Sequence, residues 1–167
     1  MRNKLFTLSL GLILLAGLWQ CATKKVATRS YRYEIECVGT GVQGTYLIKV
    51  WTYSQDSKVA VAEAKKNAVH AVIFKGFAGS GQGCTSQKPL ASADAEEKNK
   101  DFFQKFFSDG GDFNKYVAAT NDGAINSGDR LKVGDEYKIG MVVSIMKDQL
   151  RSDLEKAGVV KALNSGF

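Results

Sequence analysis

Polar and apolar residues alternate strictly through "YRYEIECV" (31–38), with Tyr31, Tyr33, Ile35 and Cys37 on one side and Arg32, Glu34 and Glu36 on the other. A period of two is that of a half-buried strand. The segment "GTGVQG" (39–44) interrupts the pattern, and "TYLIKVWTY" (45–53), rich in β-branched and aromatic residues, predicts a second strand close enough to form a hairpin with the first. The period then changes. In "SQDSKVAVAEAKKNAVHAV" the residues Val61, Ala64, Ala68 and Val72 recur at helical spacing, with Glu63, Lys66, Asn67 and His70 elsewhere around the helix. Asp56 or Ser57 is its natural N-cap, and it should end between Val69 and Phe74. Its small alanines allow close approach to a sheet.

A glycine-rich loop follows, and then "SADAEEKNKDFFQKFFSDGG" (92–111) predicts a second amphipathic helix. Asp94 and Glu97 approximate a capping box, Phe102, Phe103, Phe106 and Phe107 supply its apolar face, and Gly110 and Gly111 stop it. "DFNKYVAAT" leads into a short strand, and "NDGAINSGDR" reads as a loop. "EYKIGMVVSIM" (136–146) alternates again through Tyr137, Ile139, Met141, Val143 and Ile145. A last helix, "DQLRSDLEKAG", presents Leu150, Leu154 and Ala157 inward and stops at Gly158. The order β-β-α-loop-α-β-β-α predicts one α+β domain over 31–167, a mainly antiparallel sheet packed by about three helices.

The N-terminus has a different pattern. "MRNK" is basic, and the fifteen residues from Leu5 to Trp19 are predominantly apolar. As a helix they would span about 22 Å, short of a hydrocarbon core of about 30 Å. Residues 1–20 therefore read as an export signal rather than a membrane span. Cys21 stands where a lipoprotein signal keeps its acceptor cysteine, with Leu18 in place and Gln20 where a smaller residue is usual. Lipidation of Cys21 would tether the mature chain to a membrane through the linker 21–30 without spanning it.

Charge sharpens this picture. Of the 23 basic residues, Arg2 and Lys4 lie in the leader and Lys24, Lys25, Arg29 and Arg32 in the stretch beyond it. The remaining 17 face 17 acidic residues, so the basic excess belongs to the tether, where anionic headgroups would attract it. The domain has no basic patch, and no nucleic-acid partner is expected. Two cysteines remain after Cys21, and in an oxidising compartment Cys37 and Cys84 most simply pair. Their bridge would contribute roughly 4 kcal/mol in the chain-entropy view.

Candidate chemistry adds little. "GFAGSGQGCTSQ" (76–87) has Gly76 and Gly81 at P-loop spacing, but Gln82 and Gly83 stand where Lys and Ser or Thr belong. No helix follows at once to hold a pyrophosphate, so no nucleotide is expected. The glycines Gly79, Gly81 and Gly83 serve the turn of a surface loop. His70 is the only histidine and reads as a helix-surface residue, and Cys84 as a half-cystine, which leaves no nucleophile–base pair. One histidine and two separated cysteines are too few for zinc, and "NDGAINSGD" lacks a calcium loop's pattern. The pairs Glu34 with Glu36 and Glu96 with Glu97 read as surface and helix-start residues. No catalytic residue, metal or other cofactor is therefore expected. The Phe face reads as core first. Any part of it left uncovered, and more weakly Trp51 and Tyr53, would form a partner surface.

The stretch "VGTGVQGTYLIKVWTYSQDSKVAVAEAKKNAVHAVIFKGF" together with "YKIGMVVSIMKDQLRSDLEKAG" resembles an uncharacterised family of bacterial lipoproteins. More remotely it is similar to the amino-terminal domain of flagellar assembly protein T and its outer-membrane lipoprotein relatives. The shared features are a glycine-punctuated strand, a helix with Ala60, Ala64 and Ala68 about every four residues, and a late alternating strand. The resemblance implies a non-catalytic α+β envelope domain. "ATKKVA" lacks the acidic run that sends some lipoproteins to the cell surface, which favours an outer-membrane anchor facing the periplasm. The expected function is a structural, assembly or protein-binding module that engages an envelope partner or itself. The alternative is a small-ligand binder that uses Gly79, Gly81, Gly83 and the Phe-rich helix.

Overall fold

A computed structural model describes residues 31–42, 44–56, 61–80 and 83–162. The signal 1–20, Cys21, the linker 21–30, the cap position Ser57 and Gly81 lie outside the described residues. The elements run β1 (Tyr33–Thr40), β2 (Thr45–Ser54), α1 (Val61–Phe74), α2 (Ala95–Lys98), α3 (Lys100–Phe106), β3 (Val117–Ala119), β4 (Arg130–Val133), β5 (Glu136–Met146) and α4 (Lys147–Lys156), with short 3₁₀ turns at Asp112–Tyr116, Thr120–Gly123 and Ser127–Asp129. This is an α+β domain.

Every strand pairing is antiparallel. β1 pairs β2, β2 pairs β5, and β3 and β4 share the far edge of β5, where Val117 faces Ile145 and Arg130 faces Ile139. β1 and β2 join at the expected hairpin, with a register shift between Cys37 and Gly39. The strand β4 is not among the expected elements: only its first residue, Arg130, falls in "NDGAINSGDR", which reads as a loop, and 131–133 belong to no expected element. Its four residues are all exposed. They form a strand because β5, eleven residues long, offers an edge that β3 covers only at Val143–Ile145. The "NDG" within that segment does turn, with Asn121 and Asp122 at φ of 50° and 55°.

Alternation places Ile48, Val50 and Thr52 of β2 and Ile139, Met141, Val143 and Ile145 of β5 on one buried face. Helix α1 packs on that face, and its alanines lie where closest approach is needed: Ala64, Ala68 and Ala71 are fully buried, while Val61, expected in the same stripe, is exposed. The other side of α1 is covered by the Phe segment. Phe74 stacks edge-on to Phe103 at 4.9 Å, and Phe107 lies 5.7 Å from His70. With two covered sides, nine of the fourteen residues of α1 are buried, including Lys66, Asn67 and His70.

The expected second helix is broken. α2 ends at Lys98, Asn99 has φ −116° and ψ 37°, and α3 restarts at Lys100. Asp94 stands at the N-cap position without making the capping bond, because its side chain is held by Ser92 and Lys98. Helix α4 buries Leu150 and Leu154 as expected, but Ala157 falls just past its end and is exposed, before Gly158 turns at φ 72°.

Candidate functional site

Among the described residues, no second layer covers the opposite face of the sheet. Its positions are Glu34, Glu36 and Val38 on β1, Leu47, Lys49, Trp51 and Tyr53 on β2, Lys138, Gly140, Val142 and Ser144 on β5, and Leu131 and Val133 on β4. All are half-buried or exposed except Gly140. That glycine lies under Trp51: a Cβ there would meet three indole ring carbons at 2.9–3.1 Å. The missing side chain lets the indole lie flat against the β5 backbone.

Polar neighbours hold the aromatic rings by their edges. Trp51 Nε1 donates to Glu36 Oε1 at 3.0 Å, and the Tyr53 hydroxyl donates to Glu34 Oε1 at 2.7 Å. Lys138 Nζ reaches Glu34 Oε2 at 2.7 Å, and its ammonium lies 5.1 Å from the Trp51 ring centre and 5.8 Å from that of Tyr53. Lys49 pairs with Asp129 at 2.8 Å and stands 5.3 Å from the Trp51 centre, while Arg32 pairs with Glu136 at 2.6 Å and covers Tyr53 at 4.3 Å. The Glu34 carboxyl is held below its ordinary range by its bonds from Lys138 and Tyr53. The same carboxylate raises the Lys138 ammonium and the Tyr53 hydroxyl. Cations over aromatic faces attract the ring quadrupole, so rings and charges keep one another in place.

The inner face holds a second cluster, around His70. This is a correction of the surface position expected from sequence, since His70 is only 5% exposed. The Tyr33 hydroxyl and His70 Nδ1 share a hydrogen bond at 2.6 Å, and the Tyr31 ring stacks on the imidazole with centroids 3.5 Å apart. Glu96 Oε2 is 3.5 Å from Nε2, and that nitrogen makes no hydrogen bond. Burial, with help from Lys75, lowers the His70 pKa to about 3. Burial also raises the Tyr33 hydroxyl, which stays protonated. The imidazole is neutral. Beside it, Asn67 Nδ2 donates to Thr52 Oγ1 at 3.1 Å, and Lys66, whose side chain is 3% exposed, reaches the fully solvated Asp109 at 3.4 Å.

The residues singled out from sequence are dispersed. Phe103, Phe106 and Phe107 belong to the core, and Phe102 is half-buried beside Phe106 in a stacked pair. Gly79 and Gly83 lie exposed in their loop. Gly83 takes φ 85°, and a Cβ on Gly79 would come within 2.7 Å of the Cys84 carbonyl oxygen, so the first needs backbone freedom and the second needs space. Cys37 and Cys84 form a disulfide with Cα atoms 6.0 Å apart. Ser80 donates to the Cys37 carbonyl and Phe77 bridges Gln87, so the loop is fastened along β1. A cavity of about 240 Å³ opens between this bridge, the β1–β2 turn, Thr85 and Lys147. None of the four Phe side chains lines it.

Among the described residues no three His, Cys, Asp or Glu side chains are grouped to hold a metal, and no helix is long and apolar enough to cross a membrane. The sequence reading noticed Trp51 and Tyr53 but not what holds them. Gly140 stands far from Trp51 along the chain, and only the β2–β5 register brings the two together. Compared with models of protein families, with curated proteins and with solved structures, the chain finds no match.

Proposed function

We propose that the protein is an exported envelope lipoprotein without enzymatic activity, anchored through Cys21, whose domain is a structural or assembly module that binds another envelope component. The single observation that carries this reading is the one-sided sheet. One face is filled by packing, and the other carries Trp51, Tyr53 and Arg32, residue types that dominate binding energetics when they are desolvated. The basic tether Lys24, Lys25 and Arg29 suits a membrane surface. The resemblance to lipoproteins and to the flagellar assembly protein T amino-terminal domain supports an outer-membrane anchor facing the periplasm.

Two measurements test it. A Cys21→Ser chain should leave the membrane fraction and lose its lipid mass, and continued membrane attachment would refute the anchor. A photo-crosslinking residue at Val142, on the open face, should capture an envelope component in cells, whereas one at Gln149 on α4 should not. Equal labelling at both positions would remove the face from its role. The cavity of about 240 Å³ beside the Cys37–Cys84 bridge favours a second reading, a small-ligand binder, although it is smaller than the roughly 300–1,000 Å³ usual for such sites.

A further inference from the structure

We infer that the outer edge of β4 is a docking site for an extended acidic segment of a partner protein, which adds to the sheet as a further strand with acidic and apolar residues alternating along it. This goes beyond the role proposed for the open face and does not depend on it.

The two ends of the sheet differ in what their backbone meets. At β1, the glycine loop is fastened along the strand by the Cys37–Cys84 bridge, and Ser80 donates to the Cys37 carbonyl. At the other end β4 pairs with β5 on one side, and no described residue hydrogen-bonds its backbone on the other. Val133 and Glu136 flank the two-residue turn Gly134–Asp135, which makes them a hydrogen-bonded pair. Bonded and non-bonded pairs alternate along an antiparallel ladder. Leu131 and Val133 therefore spend their backbone groups on β5, while Arg130 and Lys132 turn theirs outward. Such an edge is a template for another strand.

The side chains say which strand fits. Leu131 is 45% and Val133 49% exposed, and both lie on the open face of the sheet. Arg130 and Lys132 alternate with them on the opposite side. Among the described residues these two make no ion pair, whereas Arg32, Lys49 and Lys138 are matched by Glu136, Asp129 and Glu34. Asp135 is unpaired as well, but it lies in the turn, past the end of the strand, so the edge itself keeps two unmatched cations. Directly opposed residues of an antiparallel pair share a face, and opposite charges there attract. An added strand would set carboxylates against Arg130 and Lys132 on one side of the sheet and apolar side chains against Leu131 and Val133 on the other.

Other occupants fit less well. Pairing β4 with β4 of a second copy would oppose cation to cation, which is destabilising, and a short basic edge is one way in which sheets avoid that pairing. A nucleic acid or other anionic polymer meets the cations but brings no amide ladder to the outward N–H and C=O groups of Arg130 and Lys132.

The experiment uses the full chain in a neutral detergent, with a capped, fluorescein-labelled peptide of four Glu-Val repeats as probe and fluorescence anisotropy as readout. Saturable binding is expected with a dissociation constant of roughly a hundred micromolar or tighter. A Lys-Val peptide of the same length should bind at least about tenfold more weakly, and a fully N-methylated Glu-Val peptide, which has no amide donor, should not bind. Arg130→Glu combined with Lys132→Glu should reverse the preference in favour of the Lys-Val peptide. Lys100→Glu combined with Lys105→Glu makes the same change in net charge elsewhere on the surface and should leave binding unchanged. Should the β4 double variant fail to fold, Arg130→Gln and Lys132→Gln singly carry the test, and each should weaken binding by roughly two- to fivefold. The inference is overturned by no saturable binding of the Glu-Val peptide, by equal binding of the Lys-Val or N-methylated peptide, or by β4 variants that bind like the parent or like the Lys100 and Lys105 control.

Discussion

Strand β5 belongs to two environments at once. Ile139, Met141, Val143 and Ile145 point inward and are at most 2% exposed, while Lys138, Val142 and Ser144, one residue away in each case, remain half-buried on the outside. The inner side is ordered by close packing, in which volume and shape decide the energy and side chains of similar size can substitute for one another. The outer side is ordered by particular pairs: indole on glycine, carboxylate on indole nitrogen, ammonium beside ring. Loss of a pair there changes orientation more than stability, because exposed ion pairs contribute little. The contrast separates a face that holds the fold from a face that is free to be used.

The largest effect should come from opening the packed side. Phe113 is 1% exposed and lies against Phe107 and the Lys66 ammonium. Phe113→Ala should cost about 3–5 kcal/mol, read as a lower midpoint in urea, whereas Tyr53→Ala on the open face should cost well under half of that. Equal losses would erase the distinction between the faces.

Next is the staple that fastens the glycine loop to β1. The cysteines are 47 residues apart in sequence, and replacing both by serine should remove roughly 2–4 kcal/mol. Reductant should lower the stability of the parent protein by the same amount and leave the double variant unaffected.

Acid should follow. The folded His70 pKa is lowered to about 3 against 6.5 for the free side chain, so below pH 6.5 the unfolded chain takes up a proton that the folded one refuses. The stabilisation from the neutral imidazole is complete above pH 6.5 and is lost as pH falls toward 3. The slope approaches 1.4 kcal/mol per pH unit, or about 2 kcal/mol between pH 6.5 and 5. Glu96 opposes part of this. Burial raises its carboxyl, so the folded state holds that proton to a higher pH and loses stability as pH rises through the raised value. Thermal melts across pH 7 to 5 should show a fall that flattens in His70→Gln, and an unchanged slope in that variant would refute the assignment.

The smallest stability change, and the most local, should come from Gly140→Ala. The new methyl would meet the Trp51 ring at 2.9–3.1 Å, so the indole must lift from the sheet at a cost of about 1 kcal/mol. Its emission should shift to the red as water reaches it, with the β5 backbone unchanged.

The elements legible in the chain are those whose burial is one-sided. β1, β2 and β5 each bury alternate residues, and α4 buries Leu150 and Leu154 at helical spacing, so local pattern and tertiary environment agree. The pairing of Cys37 with Cys84 was legible from the two cysteines that remain once Cys21 is assigned to the expected lipid anchor. What could not be read depended on neighbours distant in sequence. His70, Lys66 and Asn67 look like the polar side of an ordinary helix, yet the Phe segment covers that side, and their polar groups turn to Tyr33, Asp109 and Thr52. The pattern of four Phe residues belongs to a helix that nonetheless breaks at Asn99.

The sequence by itself determined the alternation of the strands, the α+β class and the basic stretch at Lys24, Lys25 and Arg29, because hydrophobic period and charge are local properties that survive any choice of neighbour. Only the tertiary structure decided that β4 is a strand, that the lone histidine is neutral and sealed, and that Trp51 rests on Gly140. Each of these depends on register between distant segments, and a shift of one residue in the β2–β5 pairing would turn Trp51 away from Gly140.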